Sequence, residues 1–290
     1  MPGVASVQFR GRLGLEADPA PRPRRSSCSH ALLSLPVPAR PPAFFLAEGQ
    51  IDELEEEEAL HACKVLRLAP GDLVTGLDGR GTRHPLRVRA LTKRALTLES
   101  AGEPEFEPAP GAEGAPLPWF ELAVSWPKRN RVEDMVNRLT QLGAAALRPL
   151  VCSHRGPEEV PSEVPARVQR VAREAVKQAG RAWLPRFHRA TPAGELVRHV
   201  EAPLLAILDP SGALSLDTWL RSQQPSPAGY GTEARPVAFA VGPEGGFTAA
   251  ELGAWRDAGA SFVRLGPFVL RIETAAEAAM AAAGMLFGRR

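Results

Sequence analysis

Two hydrophobic rhythms divide the chain. Between Ala43 and about Leu98, short apolar runs are set among polar residues: Ala43–Leu46, Gly71–Gly79, and the alternating apolar and basic stretch Pro85–Leu98. Asp-Gly turns break these runs, which predicts short strands of a small β-barrel, with a short helix over Ala59–Arg67. Beyond Glu121 the pattern changes. Apolar runs at Glu121–Trp126, Ala144–Cys152, Leu204–Pro210, Pro236–Val241 and Ser261–Leu265 read as buried strands, and stretches of helical period separate them. Val132, Met135, Val136, Leu139 and Leu142 recur at helical spacing and stop at Gly143. Val168, Val171, Ala172, Ala175 and Val176 do the same over Pro165–Ala179 and stop at Gly180. Such alternation predicts a mostly parallel sheet covered by helices, with ligand loops gathered at the strand C-terminal ends.

Ser100–Pro118 is rich in Pro, Gly and Glu without periodicity, so it is expected to be the linker between two domains. A chain of 290 residues with 44% hydrophobic content is long enough for two cores. Its net charge is only +2, so any basic surface that meets nucleic acid must be local. The acidic run Glu55–Glu58 is expected to face solvent. Cys28, Cys63 and Cys152 lack metal-ligand spacing and read as reduced thiols; zinc is not expected. No apolar run approaches membrane-spanning length. Residues 1–40 are Pro- and Arg-rich, with Glu16 and Asp18 their only acids. They are expected to be a disordered tail, or to follow from an upstream start codon, rather than a targeting peptide.

The most informative stretch is Pro236–Ala276. Its first apolar run enters Gly242-Pro243-Glu244-Gly245-Gly246, and Thr248 and Glu251 then stand in capping-box spacing, with Gly259 placed to end the helix. The second run, Ser261–Leu265, enters Gly266-Pro267-Phe268-Val269-Leu270-Arg271. A further Thr-x-x-Glu pair, Thr274 and Glu277, is expected to open an Ala-rich helix. Glycines let main-chain groups approach a ligand closely, and the prolines stiffen the loops beforehand. Paired loops of this kind suit a ligand rich in polar edges, such as an adenine nucleoside, although each alone could be an ordinary strand-to-helix turn.

The segments VGPEGGFTAAE and LGPFVLRIETAAEAA resemble the C-terminal signature of the RsmE family. These are SPOUT-class methyltransferases, which move a methyl group from S-adenosylmethionine to a uridine N3 of small-subunit (16S) rRNA. The likeness extends more loosely from about Ala43 to the C-terminus, and HACKVLRLAPGD with LDGRG is similar to the family's PUA-like RNA-binding domain. The resemblance implies an α/β fold: a PUA-like β-barrel (41–99), a linker (100–118) and a SPOUT parallel sheet with a C-terminal trefoil knot (119–290). It also implies a cytoplasmic homodimer acting on 16S rRNA or the assembled small subunit.

Methyl transfer needs the acceptor atom, the methyl carbon and the leaving sulfur nearly in line, and a uridine N3 must be exposed and lose its proton. Arg271 is expected to orient the base and to stabilise negative charge on the uracil oxygens. Glu244 is a candidate proton acceptor alongside Glu273, though either could instead cap a helix or brace a loop. The cofactor cradle is expected to be Leu208, Val241, Gly242, Gly245, Leu265, Gly266, Val269 and Leu270. Candidate RNA contacts are Arg67, Arg129 in the cluster with Lys128 and Arg131, Arg155 in SHRG, and Arg181 in QAGR; His154 and His188 are expected to be structural or exposed. The chain departs from the family pattern at Ala43 (usually Arg), Asn137 and Gln141 (usually acidic) and Lys177 (usually Glu). These departures keep two alternatives open: a non-catalytic RNA-binding or ribosome-assembly protein, and a methyltransferase acting on another RNA position.

Overall fold

In a computed structural model, which describes residues 40–48, 50–91, 96–128, 131–154, 160–223 and 231–288, the first part of the chain forms a five-stranded sheet. Its elements are β1 (Ala43–Phe45), helix α1 (Glu56–Lys64), β2 (Leu73–Leu77), β3 (Thr82–Leu91), β4 (Leu96–Ser100) and β5 (Glu105–Phe106). β1 lies parallel to β2, and the remaining pairings are antiparallel, in the order β1-β2-β3-β4 with β5 beside β3. The stretch Pro85–Leu98 is therefore shared between two strands. The expected Asp-Gly turn joins β2 to β3: the Asp78 carboxylate accepts main-chain N–H bonds from Arg80 (2.7 Å) and Thr82 (2.9 Å), and Gly79 adopts φ +73°. Helix α1 lays Ala59 and Ala62 over Phe44, Leu86, Val88 and Leu98.

The larger sheet is parallel throughout. β6 (Phe120–Val124), α2 (Arg131–Gln141), β7 (Ala146–Val151), α3 (Ala166–Ala179), β8 (Arg186–Phe187) and β9 (Thr191–Pro192) come first. They are followed by β10 (Leu205–Leu208), β11 (Leu214–Ser215), α4 (Leu216–Ser222), β12 (Val237–Val241), α5 (Ala249–Asp257), β13 (Ser261–Arg264) and α6 (Ile272–Phe287). The strand order is β11-β13-β10-β12-β6-β7-β8, with β9 also on β7. Every residue of β6 and β12 is buried, as strands covered on both faces must be. On one face α2, α3, α4 and α6 pack Met135, Leu139, Val168, Trp219 and Met280 against Phe120 and Phe239. On the other, Trp255 of α5 meets Leu196, Leu205 and Ile207. Gly143 (φ +97°) and Gly180 (φ +68°) end α2 and α3 in the left-handed region, as their positions predicted.

Three expectations need correction. The acidic run does not simply face solvent: Glu58 is buried against Lys177 Nζ (2.9 and 3.0 Å), Glu55 pairs with Arg173 (2.6 Å), and Glu57 pairs with Arg170 (3.3 Å). Arg170, Arg173 and Lys177 recur at i, i+3 and i+7 on α3 and draw the run toward it; Glu56 and Glu57 stay exposed, as expected, while Glu58 loses its hydration and Lys177 offsets that loss. Lys177, a departure from the family pattern, is thus the counter-ion of Glu58. Secondly, the aperiodic stretch after Ser100 carries β5 and is held by distant partners. The Glu107 carboxylate accepts from Arg83 and from Ala182 N–H (3.0 Å), and its carbonyl accepts from Trp183 Nε1 (2.8 Å). Thirdly, Thr274 and Glu277 do not cap α6. The helix already starts at Ile272 behind Arg271, and Glu277 reaches across to Arg138 (3.1 Å). The expected tail, residues 1–39, lies outside the described residues.

Within the sheet, at the N-terminal end of β6, Glu121 accepts from Arg148 Nε (2.5 Å), and its second oxygen lies 3.3 Å from His188 Nε2. Burial opposes ionisation of Glu121, but the His188 and Arg148 donors outweigh it and hold the carboxyl below its ordinary value. This gives His188 the structural place expected of it. Among the described residues no helix is long and apolar enough to cross a membrane, and no cluster of His, Cys, Asp or Glu could hold a metal ion.

Replacing Lys177 by Met strands the Glu58 carboxylate in the α1–α3 interface. It is expected to lower stability by about 3 kcal/mol, read from the shift of a urea midpoint. The reciprocal exchange Glu58→Lys with Lys177→Glu is expected to recover most of that loss.

Candidate active site

Because β10 is paired on one side with β12 and on the other with β13, the C-terminal ends of these strands lie side by side: Leu208 is in register with both Val241 and Val263. The loops that leave them enclose a cavity of about 440 Å³. Of the residues expected to form the cradle, Leu208, Val241, Gly242, Leu265, Gly266, Val269 and Leu270 line it, and so do Glu244 and Arg271. Gly245 does not. It turns toward His154, whose side chain would lie 3.6 Å from an added Cβ, and Gly246 (φ +71°) takes its place in the wall. The sequence reading missed Asp209, Pro210, Pro243, Phe247, Leu252, Phe268, Ile272 and Ala275 in the lining. Asp209 and Pro210 directly follow a strand already placed at the site, so the rule that ligands gather at strand C-terminal ends was signal enough to include them.

The first loop is rigid for identifiable reasons. Gly246 N–H donates to the Pro243 carbonyl (2.8 Å), and His154 Nδ1 lies 2.9 Å from the Gly246 carbonyl. An added Cβ at Gly242 would come within 2.9 Å of the Phe247 ring, so glycine is what lets Phe247 fold back and stack edge-on against Trp255. The expected capping box forms. Thr248 Oγ1 accepts from Glu251 N–H (3.3 Å), while the Glu251 carboxylate accepts from Thr248 N–H (2.7 Å) and Ser153 N–H (2.8 Å). Burial would raise the Glu251 carboxyl, but the donors from Ser153 and Thr248 outweigh it and hold it below its ordinary value. One carboxylate therefore joins the end of β7 to the first turn of α5.

The charged groups at the cavity differ in how they are held. Arg271 is exposed at the N-cap of α6, and among the described residues no hydrogen bond or ion pair engages its guanidinium. Glu244 and Glu273 both meet Arg131, at 3.3 Å each. Glu273 is not part of the cavity wall.

The RNA-contact candidates fare unevenly. Arg67 stands exposed just after α1, with φ +52°. Arg129 and Arg155 lie outside the described residues. Arg181 is corrected: its guanidinium is turned inward and donates to the carbonyls of Thr140 (2.5 Å) and Ala144 (3.2 Å). Burial pushes its pKa down to about 10. Its work is to join the end of α3 to the end of α2. Gln141 donates to Asn137 Oδ1 (2.6 Å), so these two departures satisfy each other on α2. Ala43 is the first residue of β1.

Replacing Glu251 by Gln is expected to lower stability at neutral pH by about 1–3 kcal/mol. A carboxyl held low contributes stability that is present above its ordinary value of 4.5 and lost as pH falls through the lower folded value. Thermal midpoints of the two proteins should therefore differ near neutrality and converge in acid below that value.

A family model described as an RNA methyltransferase domain matches residues 114–284. Ribosomal RNA small subunit methyltransferase E of Synechocystis is 30% identical over 266 residues, covering 87% of this chain and 82% of that protein. The protein of the same name from Mycobacterium bovis is 29% identical over 247 residues, covering 83% and 88%. Among solved structures, ribosomal RNA small subunit methyltransferase E from Neisseria gonorrhoeae, bound to S-adenosyl methionine, superposes with TM-score 0.70 at 25% identity, over 86% of this chain and 99% of that one. With a family model matching more than half of its length and a relative 30% identical across most of both chains, this chain belongs to the ribosomal RNA small subunit methyltransferase E family of RNA methyltransferases.

Proposed function

We propose that this protein transfers the methyl group of S-adenosylmethionine to the N3 of a uridine in small-subunit (16S) rRNA. The observation that carries this reading is the cavity between two glycine loops at adjoining parallel strand ends, with Glu244 and Arg271 in its wall, in a chain of this family. The cavity fits the cofactor. Its volume of about 440 Å³ is that of a small-ligand site, and a Cβ added at Gly266 would meet nothing within 4 Å, so the wall is open there. Leu208, Val241, Leu252 and Leu265 offer an apolar face for a purine, and the main chain of Gly242, Gly266 and Leu270 offers polar edges. The bound cofactor supplies a methyl group activated by its sulfonium.

The chain's own residues do the rest. Arg271, whose guanidinium no hydrogen bond or ion pair engages among the described residues, orients the uracil and stabilises the charge that gathers on its oxygens as the N3 proton leaves. Glu244 is the proton acceptor of this proposal rather than Glu273, because Glu244 is in the cavity wall. Cofactor contacts from Val269, and RNA contacts from exposed Arg67 and from Arg129 and Arg155, complete it.

The finer architecture follows the same reading. Residues 41–99 act as a PUA-like RNA-binding barrel, joined by 100–118, which adds β5 to its sheet, to a SPOUT domain (119–290). α6 leaves β13, beyond β10, and returns to pack on β6, β12 and α2, which supports a trefoil knot in which this last helix is threaded. Phe268 and Val269, at the cavity, are 76% and 82% exposed, which supports a homodimer with apolar surface near the cavity. The substrate, 16S rRNA alone or in the small subunit, places the reaction in the cytoplasm.

Incubation with labelled S-adenosylmethionine and unmethylated small subunits should yield 3-methyluridine on nucleoside analysis. Arg271→Ala should cut the rate about a hundredfold or more. No transfer and no cofactor binding would sink the enzyme reading in favour of a non-catalytic RNA-binding protein. Gly266→Leu should fold normally, since its side chain has room, yet bind S-adenosylmethionine at least about tenfold more weakly by calorimetry.

A further inference from the structure

The two loops that line the cavity are fastened differently. The first is held at Pro243, Gly246 and Thr248, as described above. The second, Gly266–Leu270, makes no hydrogen bond among the described residues, and Phe268 and Val269 stand in solvent. What holds its far end is the start of α6, where the Arg271 carbonyl accepts from Ala275 N–H (2.8 Å). The position of Arg271, and the wall beside it, therefore depend on what holds the first turn of that helix.

Arg131 spans the gap between the two loops. It is the first residue of α2; its Nη2 lies 3.3 Å from Glu244 Oε1 in the first loop, and its Nη1 lies 3.3 Å from Glu273 Oε1 in the first turn of α6. The planar guanidinium presents its nitrogens in a fixed fork and can hold two carboxylates at once, which an ammonium cannot do with the same geometry. Glu273 depends on this contact. Its Oε2 is buried without a partner, and the Arg131 bond is the one hydrogen bond its carboxylate makes among the described residues. Removing the cation leaves that carboxylate desolvated and unpaired, with its like-charged neighbour Glu244 no longer bridged to it. Two turns along α2, Arg138 grips Glu277 in the same way (3.1 Å), so α2 holds α6 at two heights, but only the Arg131 contact reaches a cavity loop.

We propose that Arg131 is a positioning residue for methyl transfer: it couples the Gly242–Gly246 loop to the start of α6 and so keeps Arg271 and the cavity wall in register. The proposal rests on the functional reading above for its consequence, while the coupling itself is a property of the folded chain. It predicts that the charge of Arg131 is insufficient without its fork, and that Arg131 and Glu273 act as one unit.

The test uses the full chain with Arg131→Gln, Arg131→Lys, Glu273→Gln and the double variant Arg131→Gln/Glu273→Gln. Amide hydrogen exchange is measured first, without cofactor or RNA. Residues 266–275 are expected to exchange about three- to tenfold faster in Arg131→Gln, while the strands β6 and β12 keep their protection. Unchanged exchange over 266–275 would overturn the coupling. In the transfer assay, Arg131→Lys and Arg131→Gln should lose kcat/KM alike, by about tenfold, with the cofactor KM raised, and the double variant should be no worse than either single one. Full activity in Arg131→Lys, or losses that multiply in the double variant, would mark Arg131 as an independent charge and overturn the proposal. A wild-type chain that transfers no methyl group would sink the functional reading alone, and the exchange comparison would still decide the coupling.

Discussion

The parallel pairing of β10 with a neighbour on each side is the constraint on which the site depends. Leu208, Val241 and Val263 are level across three strands, so the loops that follow leave the sheet at one height and face one another. Hydrogen-bond register sets this alignment, and packing enforces it: a slip of one residue would turn Val237, Phe239 and Val241 into the layer that holds Ala238 and Ala240. Both faces of the sheet are covered, by α2, α3, α4 and α6 on one side and α5 on the other. The cavity is what remains between loops whose roots are packed into that core.

On that base, polar contacts do local work of different kinds. Glu251 ties the end of β7 to the first turn of α5, Arg181 ties α3 to α2, and Arg131 ties the first loop to α6. The Glu121–Arg148 pair lies at the opposite end of the sheet from the cavity and belongs to the fold alone. Arg271 is the exception among these groups: its main chain caps a helix, and among the described residues no hydrogen bond or ion pair engages its guanidinium. The same division appears in the apolar residues, where Phe239 and Trp255 are sealed in the core while Phe268 and Val269 face solvent beside the cavity.

The departures from the family pattern acquire local explanations. Lys177 answers Glu58, and Asn137 answers Gln141. Each is a substitution whose partner sits nearby in space, and neither touches the cavity wall.

Much of the fold was legible because its signals are local. Periods of two and of 3.6, the capping box at Thr248 and Glu251, and the left-handed glycines at 143, 180 and 259 are set by residues within a few positions of one another, so they placed strands, helices and helix ends. The two glycine loops were legible for the same reason, as was half of the cavity wall. Contacts between distant residues were not. The Glu58–Lys177 pair spans 119 residues and Arg131–Glu273 spans 142, and nothing along the chain says that an acidic run will meet α3 or that one arginine will bridge two loops. Arg181 reads as a surface cation by composition and became an internal donor because α2 left the carbonyls of Thr140 and Ala144 within its reach. Thr274 and Glu277 had the spacing of a cap, yet α6 began before them. The sequence alone determined which residues form the elements and which loops can approach a ligand, since both follow from backbone preference and periodicity. Only the tertiary structure decided which charges are buried, paired or left free, because that depends on which desolvated surfaces the packed strands and helices bring together.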